Sequence, residues 1–547
     1  MEKRRKGTIK KYIAAALSVM IMTLSGCGSN YKSIQENELN MTTRTTPTTM
    51  DPQMCHDVAS SEAINLYSGT LFRYDLDRKL IPWLAESCDI SEDGLIYTYH
   101  LRENLKWSDG RDLTADDFVF GFKRLVDPET GSGSVYLATD CCKIKNAGAI
   151  NMGEMPVDEL GVSAPDKNTF VVELEVCCPY FNSLITMCSF CPCNEDFYNS
   201  CNGSYATSDE TMLSSGPYLV DSYEPMALQV HFKKNPNYFD KDSIELEGIN
   251  YQVISNVQQG VMCYETGMFD ITTLGGELIE LAEGDDDLTE FSSASIYFLF
   301  MNYQVEALKN KNIRMALSKC IDRDAIVKNV FKAGYASLTR INPAGYYMEV
   351  DGKDFAEDQT LYDEYTALDL AKAKECWEAG LSELGINELE LSLAFSSGSQ
   401  AAMEVVALDM EKALPGLDIK LVPISFKEYL SADTSGKYDI ILQGWVADYA
   451  DPTSFYNLFL TGASDIYGYS NPDYDELLRR CEEELATTPE ERNVVLHEAE
   501  DLIMEDVGCI PLFSTGSSYL ISDLIDGYVP NPTGIGFVVT DLKKEKK

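Results

Sequence analysis

The chain has 547 residues, with 44 lysine and arginine residues against 88 aspartate and glutamate residues, for a formal charge of −44 at pH 7. Nucleic-acid binding needs a basic face that neutralises phosphates, so this balance argues against that class of function. The length exceeds the roughly 250 to 300 residues at which a single core stops growing, so more than one domain is expected.

The first 26 residues have the composition of an export signal. Six basic residues lead into an apolar run of about a dozen residues that ends at Leu24, too short to span a membrane as a helix. Residues 24–27 read Leu-Ser-Gly-Cys, which resembles the bacterial lipoprotein signal, whose cysteine sulfur accepts diacylglycerol. We predict a lipoprotein signal peptide at residues 1–26 and a lipid anchor at Cys27 with a tether over residues 27–36. An ordinary signal peptide with a chance cysteine is the alternative.

Fifteen cysteines follow Cys27. An odd number in an exported chain of this size leaves three possibilities, which are free thiols, some disulfides or a metal site. The metal hypothesis rests on the spacing of Cys188, Cys191, Cys193 and Cys201, although a metal knuckle normally needs two spaced pairs on turns. We expect mostly buried free thiols, because free cysteine behaves as a small apolar side chain. No metal and no cofactor are assigned.

The first half of the chain reads mostly as strands, turns and short helices. Residues 97–102 alternate between apolar and polar side chains, which predicts a half-buried strand. Thr114 suits the N-cap of a helix that carries Phe118 and Phe122 on one face. Asp127 precedes a proline, which predicts the end of that helix.

The second half has the pattern of an α/β region. Residues 389–395 and 418–424 read as strands on either side of a helix over residues 400–414, and residues 438–443 read as a further strand. The order strand, helix, strand predicts a parallel pair with a right-handed crossover. Ligands of such sheets gather at the carboxyl ends of strands, so the residues after Gln443 are the first candidates for a ligand site.

A set of motifs carries a family resemblance. Residues 444–453 read Gly-Trp-Val-Ala-Asp-Tyr-Ala-Asp-Pro-Thr. Further landmarks are Thr-Met-Asp-Pro at 49–52, Lys-Trp-Ser-Asp-Gly at 106–110, Ser-Gly-Pro-Tyr at 215–218 and Lys-Asn-Pro-Asn-Tyr at 234–238. In this order and spacing, from about Leu39 to the C-terminus, the chain resembles the bacterial oligopeptide-binding lipoproteins of ABC importers, in solute-binding protein family 5.

The resemblance implies a periplasmic-binding-protein-like fold of class II, with two α/β lobes around a ligand cleft and a β-rich inserted domain. It implies a discontinuous first lobe at residues 37–77, 205–299 and 514–547. The β-rich insert would span residues 78–204, and the second lobe would span residues 300–513. The lobes would close like a hinge, because the chain crosses between them near Phe300 and Ser514. It also implies a monomer, lipid-anchored on the outer face of the cytoplasmic membrane, extracellular or periplasmic, that passes oligopeptides to permease subunits.

The implied site binds the constant parts of a peptide. In the resemblance, Gly444 and Val446 supply main-chain groups to a ligand that pairs as an extra strand. Asp448 takes the ligand's amino terminus in a charge-assisted pair. Trp445 and Tyr449 are expected as pocket or wall residues. On local sequence alone, Asp448 could instead be a cap or turn residue, and Trp445 could belong to the core.

Two further positions follow from the resemblance. Tyr136 matches, by its position, a tyrosine that faces the ligand in relatives. Ser68 stands where relatives often have an acid, in a strand that lines the cleft. Asp451 reads as a turn residue ahead of Pro452. No lysine or arginine motif marks a partner for the ligand carboxylate, so peptide length stays open.

Other functions have less support. A secreted hydrolase would need a nucleophile or metal motif, yet neither G-x-S-x-G nor H-E-x-x-H occurs and the four histidines are scattered, so no enzymatic activity is expected. A relative that binds a nickel chelate or an oligosaccharide is the nearer alternative, and a receptor for peptide pheromones would use the same site. The carboxylate of Asp448 favours a peptide.

Overall fold

The structure, a computed structural model, describes residues 37–224, 228–331, 334–357, 365–425, 428, 436–463, 468–533 and 536–545. The predicted signal peptide, Cys27 and the tether lie outside the described residues. Within those ranges no helix combines the length and the apolar composition that crossing a membrane requires.

The first sheet has seven strands from distant parts of the chain. In spatial order these are Leu288–Ser292, Gly516–Ile521, Ile271–Thr273, Glu38–Thr43, Gly248–Val253, Gln229–Lys234 and Tyr218–Ser222. Glu38–Thr43 runs parallel to Gly248–Val253 and pairs with Ile271 through Met41. The helix Val58–Tyr67 shares a buried apolar core with these strands.

The second sheet has six strands and confirms the predicted α/β region. In spatial order these are Ala336–Ser337, Ile510–Ser514, Ser295–Met301, Ile440–Val446, Leu389–Ser396 and Leu417–Ile424. Leu389–Ser396 pairs in parallel with both Leu417–Ile424 and Ile440–Val446. The helix Gln400–Ala413 connects the two predicted strands. The strand that was expected to end at Gln443 continues to Val446, so three candidate residues lie within it rather than after it.

A third sheet is antiparallel and has four strands, in the order Ala85–Ile90, Ile96–Leu101, Thr169–Glu173 and Val162–Asp166. The helix Ala115–Val126 packs on it, and the Phe122 ring lies 5.0 Å from that of Phe170. Thr114 precedes this helix and its N–H donates to Asp117 at 2.8 Å. Both the strand and the helix predicted here are confirmed, and the helix ends one residue before Asp127.

The remaining elements are helices, single turns and two small hairpins. The other α-helices are Ala147–Asn151, Phe181–Leu184, Glu195–Ser200, Val257–Glu265, Glu277–Ala282, Glu306–Lys309, Lys311–Lys319, Arg323–Ile326, Leu370–Leu384, Thr453–Tyr456, Pro472–Arg479 and Pro489–Glu505. Single 3-10 or π turns span Pro52–Met54, Leu137–Cys141, Val157–Glu159, Cys188–Phe190, Asp209–Thr211, Val327–Phe331, Phe355–Glu357, Ser397–Ser399, Asn457–Phe459 and Arg480–Glu484. Two small hairpins pair Phe72–Tyr74 with Leu80–Pro82 and Ile525–Asp526 with Lys543–Lys544.

The chain crosses between the first and second sheets at two adjacent places. Strand Ser295–Met301 already belongs to the second sheet, so this crossing precedes the position expected near Phe300. The return crossing follows Ile510–Ser514. The hydroxyl oxygens of Ser295 and Thr515 lie 2.6 Å apart, so the two crossing segments are hydrogen-bonded side by side.

The cysteines of the described residues are free thiols, and most of them are buried. In that part of the chain no three metal-ligating side chains come together in a metal-like arrangement. The metal hypothesis for the segment from Cys188 to Cys201 therefore has no support in the structure.

Candidate functional site

The candidate site begins at the last three residues of strand Ile440–Val446. Beyond the strand, the Ala447 N–H donates to the Ala294 carbonyl oxygen at 2.8 Å. Main-chain groups of an antiparallel strand alternate between its two edges, so Gly444 and Val446 direct theirs to the opposite edge. Strand Leu389–Ser396 lies on that edge. Within the described residues it pairs with Ile440 and Ile441, at the beginning of strand Ile440–Val446. The main chain of Val446 therefore faces a side where none of the described strands pairs with it.

Gly444 is held at this position by an aromatic side chain. A Cβ atom on Gly444 would lie 2.6 Å from Cε1 of Tyr297, its cross-strand partner. The Tyr297 ring is itself stacked on Phe513, with ring centroids 4.9 Å apart. Any larger side chain at position 444 would have to displace this stack.

The next two side chains of the strand are open to solvent. Trp445 is 37% exposed and Val446 is 53% exposed. Trp445 is therefore not a core residue. Consecutive side chains of a strand point to opposite faces of its sheet, so the two exposed side chains lie on different faces at the strand end.

Asp448 is a half-buried carboxylate without a cationic partner. Its Oδ1 accepts a hydrogen bond of 3.2 Å from the Tyr136 hydroxyl, and its N–H donates to Ser454 Oγ at 3.1 Å. No lysine, arginine or histidine of the described chain pairs with it. Burial raises the pKa of Asp448, and the hydrogen bond from Tyr136 lowers it only in part.

Tyr136 brings a second part of the chain to this carboxylate. It precedes the turn Leu137–Cys141 and is 39% exposed. Burial and the nearby Asp448 both raise the pKa of Tyr136, so its hydroxyl stays a neutral donor. The pKa of Cys141 is raised to about 12 by burial and then by Asp448. The surroundings of Asp448 therefore contain neutral polar groups.

Asp451, three residues further on, has a different environment. It is 3% exposed and accepts two hydrogen bonds from the Arg492 guanidinium, at 2.7 and 2.9 Å. Its Oδ1 also accepts from the Thr453 N–H at 3.0 Å. The interpretation of Asp451 as a turn residue is confirmed, and the sequence did not reveal its ion pair with Arg492.

Tyr449 does not line an open wall, contrary to expectation. It is 5% exposed, and its ring stacks on Tyr180 at a centroid distance of 3.8 Å. The Ala450 N–H donates to Ser183 Oγ at 2.9 Å. The Tyr346 hydroxyl donates to the main-chain carbonyl of Tyr449. Sequence reasoning missed these three partners, because nothing in their local sequence relates them to residues 448–451.

Ser68 also differs from its predicted role. It is the C-cap of helix Val58–Tyr67 rather than part of a strand, and its N–H donates to the Ile64 carbonyl at 2.9 Å. Its side chain is 2% exposed and lies 3.4 Å from Ser215 Oγ. Because its side chain is buried beside Ser215, Ser68 does not present it to an open surface. Of the predicted ligand residues, the structure therefore brings Tyr136 and Asp448 together beside the exposed strand end and buries Tyr449 and Ser68.

Known proteins share this fold over most of its length. The dipeptide-binding protein of Lactococcus lactis subsp. cremoris is 31% identical, covering 97% of this chain and 98% of its own. A structure of Listeria monocytogenes OppA bound to peptide has 29% identity and a TM-score of 0.68, covering 94% of this chain and all of that one. The predicted fold class is confirmed.

A third relative is known in an unliganded form. MppA, a periplasmic murein tripeptide-binding protein, in its unliganded open form has 25% identity and a TM-score of 0.82, covering 93% of this chain and 98% of that one. The present structure is thus closer to that open form than to the peptide-bound OppA. Residues 79–466 match the family model described as bacterial extracellular solute-binding proteins, family 5 Middle. This chain therefore belongs to the bacterial extracellular solute-binding proteins of family 5.

Proposed function

We propose that this protein captures oligopeptides outside the cytoplasm and delivers them to the permease subunits of an ABC transporter. Family membership supports the capture of a solute. Relatives that are named for dipeptide binding or solved with a bound peptide support a peptide as that solute.

The observation that carries the proposal is the unpaired carboxylate of Asp448. A half-buried carboxylate loses hydration, and a positive charge at hydrogen-bond distance compensates for that loss. The ammonium group of a peptide supplies this charge and three donors. Tyr136 already occupies Oδ1 of Asp448, so its hydroxyl orients the carboxylate toward the ammonium.

The neighbouring strand end supports binding of the peptide main chain. Val446 presents its main-chain groups to an edge where none of the described strands pairs with it, so an extended ligand can add there as a further strand. Binding through main-chain groups places few demands on the ligand's sequence. The exposed side chains of Trp445 and Val446 offer apolar area to ligand side chains of different kinds.

Closure of the two lobes would complete the site. The crossings that meet at Ser295 and Thr515 are short and hydrogen-bonded, as in a hinge. The likeness to an open unliganded relative supports the present arrangement as the receiving state. The closed state would then be the one that the permease recognises. The parts that move in this closure would be the first lobe, at residues 37–77, 205–299 and 514–547, the insert at 78–204 and the second lobe at 300–513.

The proposed location is the outer face of the cytoplasmic membrane. Cys27 would carry the lipid after removal of residues 1–26, and residues 27–36 would link it to the first strand. The protein would act there as a monomer.

Calorimetric titration of Asp448→Asn with a free-amine tripeptide and its N-acetylated form tests the proposal. We expect the substitution to weaken binding of the free-amine peptide about 30-fold, on the order of 2 kcal/mol, because an ammonium is left without its counter-charge. Asp140→Asn, at an exposed acid on the turn beside Tyr136, is the matched control and should bind normally. Equal binding of the acetylated peptide to the wild-type protein would contradict the role of Asp448.

A further inference from the structure

Two cysteines from distant parts of the chain meet at one buried hydroxyl. The Cys55 Sγ lies 3.1 Å from Ser61 Oγ, and the Cys188 Sγ lies 3.6 Å from the same oxygen. Cys55 is 1% exposed and Cys188 is 4% exposed. The two thiols therefore share a small polar site inside the core of the first sheet.

The main chains that carry these thiols are already held together. Gln53, which is fully buried, donates from Nε2 to the carbonyl oxygens of Ser189, at 3.4 Å, and Cys191, at 2.9 Å. These contacts join the turn before Cys55 to the turn that begins at Cys188. A disulfide can form only between segments that lie close together, and these hydrogen bonds hold the segments of Cys55 and Cys188 side by side.

The other cysteines of this segment have different partners. Cys193 Sγ accepts a hydrogen bond of 3.6 Å from Arg124, and Cys191 interacts with the Ser68 hydroxyl. The side chain of Cys188 is hydrogen-bonded to that of Cys55. A hydrogen bond from Cys188 lowers the pKa of Cys55, and the same contact raises the pKa of Cys188. Cys55 is thus favoured as the thiolate of the pair, and the thiolate is the form that attacks a disulfide.

We propose that Cys55 and Cys188 are a redox-active dithiol that a small-molecule disulfide converts into an intramolecular disulfide. The Cys55 thiolate attacks one sulfur of the oxidant, forming a mixed disulfide and releasing one thiol. The Cys188 thiolate then attacks the Cys55 sulfur of this mixed disulfide and releases the second thiol. The protein loses two electrons and two protons, and the oxidant is reduced to two thiols.

The disulfide would connect the segment before helix Val58–Tyr67 to the region beside the four-stranded sheet. Ser134 Oγ donates to the Cys55 carbonyl oxygen, and Ser134 lies two residues before Tyr136. The bond would therefore also restrain the chain that carries Tyr136 to the candidate site. A covalent link between distant positions removes conformations from the unfolded chain and raises stability.

Equilibration of the purified mature protein in glutathione buffers of increasing oxidised fraction tests the proposal. After acid quenching and alkylation in denaturant, mass spectrometry should show Cys55 and Cys188 becoming protected together and joined in one cross-linked peptide pair. The midpoint of thermal unfolding should rise in parallel, and dithiothreitol should reverse both changes.

Two variants identify the partner of Cys55. Cys188→Ser should abolish the cross-link, whereas the matched variant Cys191→Ser should retain it. A cross-link of Cys55 to any other cysteine in the wild-type protein would overturn the proposal, and this result does not depend on the folding of a variant. The proposal would also be overturned if Cys55 remained open to alkylation in buffers in which the more exposed Cys201 forms a mixed disulfide with glutathione.

Discussion

The Tyr136 hydroxyl donates a hydrogen bond of 3.2 Å to Asp448 Oδ1, across a sequence separation of 312 residues. The contact joins the turn Leu137–Cys141 to the loop that follows strand Ile440–Val446. It leaves the second oxygen of Asp448 without a protein donor in the described residues. An ammonium group can therefore bind to this carboxylate while Tyr136 holds its orientation.

Peptide affinity should depend on pH through Asp448. Burial raises the pKa of this carboxyl above its ordinary value of 3.8, and an ammonium pairs with the ionised form. At pH values above the raised pKa the affinity should be constant, and below it the affinity should fall about tenfold per pH unit, because binding must then displace a proton. Titration calorimetry with a C-terminally amidated peptide measures this dependence without a ligand carboxyl group. A flat profile down to pH 3.8 in the wild-type protein would contradict it, because more than half of a carboxyl with a raised pKa is protonated there. Asp448→Asn should show no such fall of affinity in acid.

Tyr136→Phe should have a smaller effect that is distinct from the loss of Asp448. The variant removes one hydrogen bond to the carboxylate, so we expect peptide affinity to fall about fivefold, on the order of 1 kcal/mol. Because the hydrogen bond from Tyr136 lowers the pKa of Asp448, its loss should raise this pKa. The fall of peptide affinity in acid should then begin at a higher pH. Titrations at several pH values separate this shift from a general loss of packing, which would not change the pH at which affinity begins to fall.

Gly444→Ala should destabilise the protein. The new Cβ would lie 2.6 Å from the Tyr297 ring, which is stacked on Phe513, and overpacking of this kind typically costs about 1 to 3 kcal/mol. Denaturant unfolding measures the change. The matched variant Gly398→Ala meets no atom within 4 Å and should leave stability nearly unchanged. Equal stability of both variants would show that position 444 tolerates a side chain.

Arg492→Met should cost far more stability than the loss of a surface ion pair. It would leave Asp451 buried without its bidentate partner, and breaking a buried pair on one side typically costs about 3 to 5 kcal/mol. Lys309→Ala, which removes the exposed pair with Glu306, is the control and should cost at most about 1 kcal/mol. Denaturant unfolding of both variants compares the two costs. Similar costs would contradict a structural role for Asp451.

Local signals predicted much of the fold correctly. The helix Ala115–Val126 follows from its own cap, its apolar face and the proline after it. The strands Leu389–Ser396 and Leu417–Ile424 follow from short runs of apolar residues around a helix. The family resemblance, and no local signal, placed Ser68 in a strand that lines the cleft, whereas it caps the helix Val58–Tyr67 and is buried.

The sequence by itself determined the family, the order of strands and helices in the second half and the choice of Asp448 as a candidate. Each of these depends on residues that are close together in the chain or on motifs with fixed spacing. Only the tertiary structure decided that Tyr136 reaches Asp448, that Arg492 neutralises Asp451 and that Tyr449 stacks on Tyr180. These contacts join segments that no local pattern relates, because packing and desolvation arise only when the distant segments have folded together.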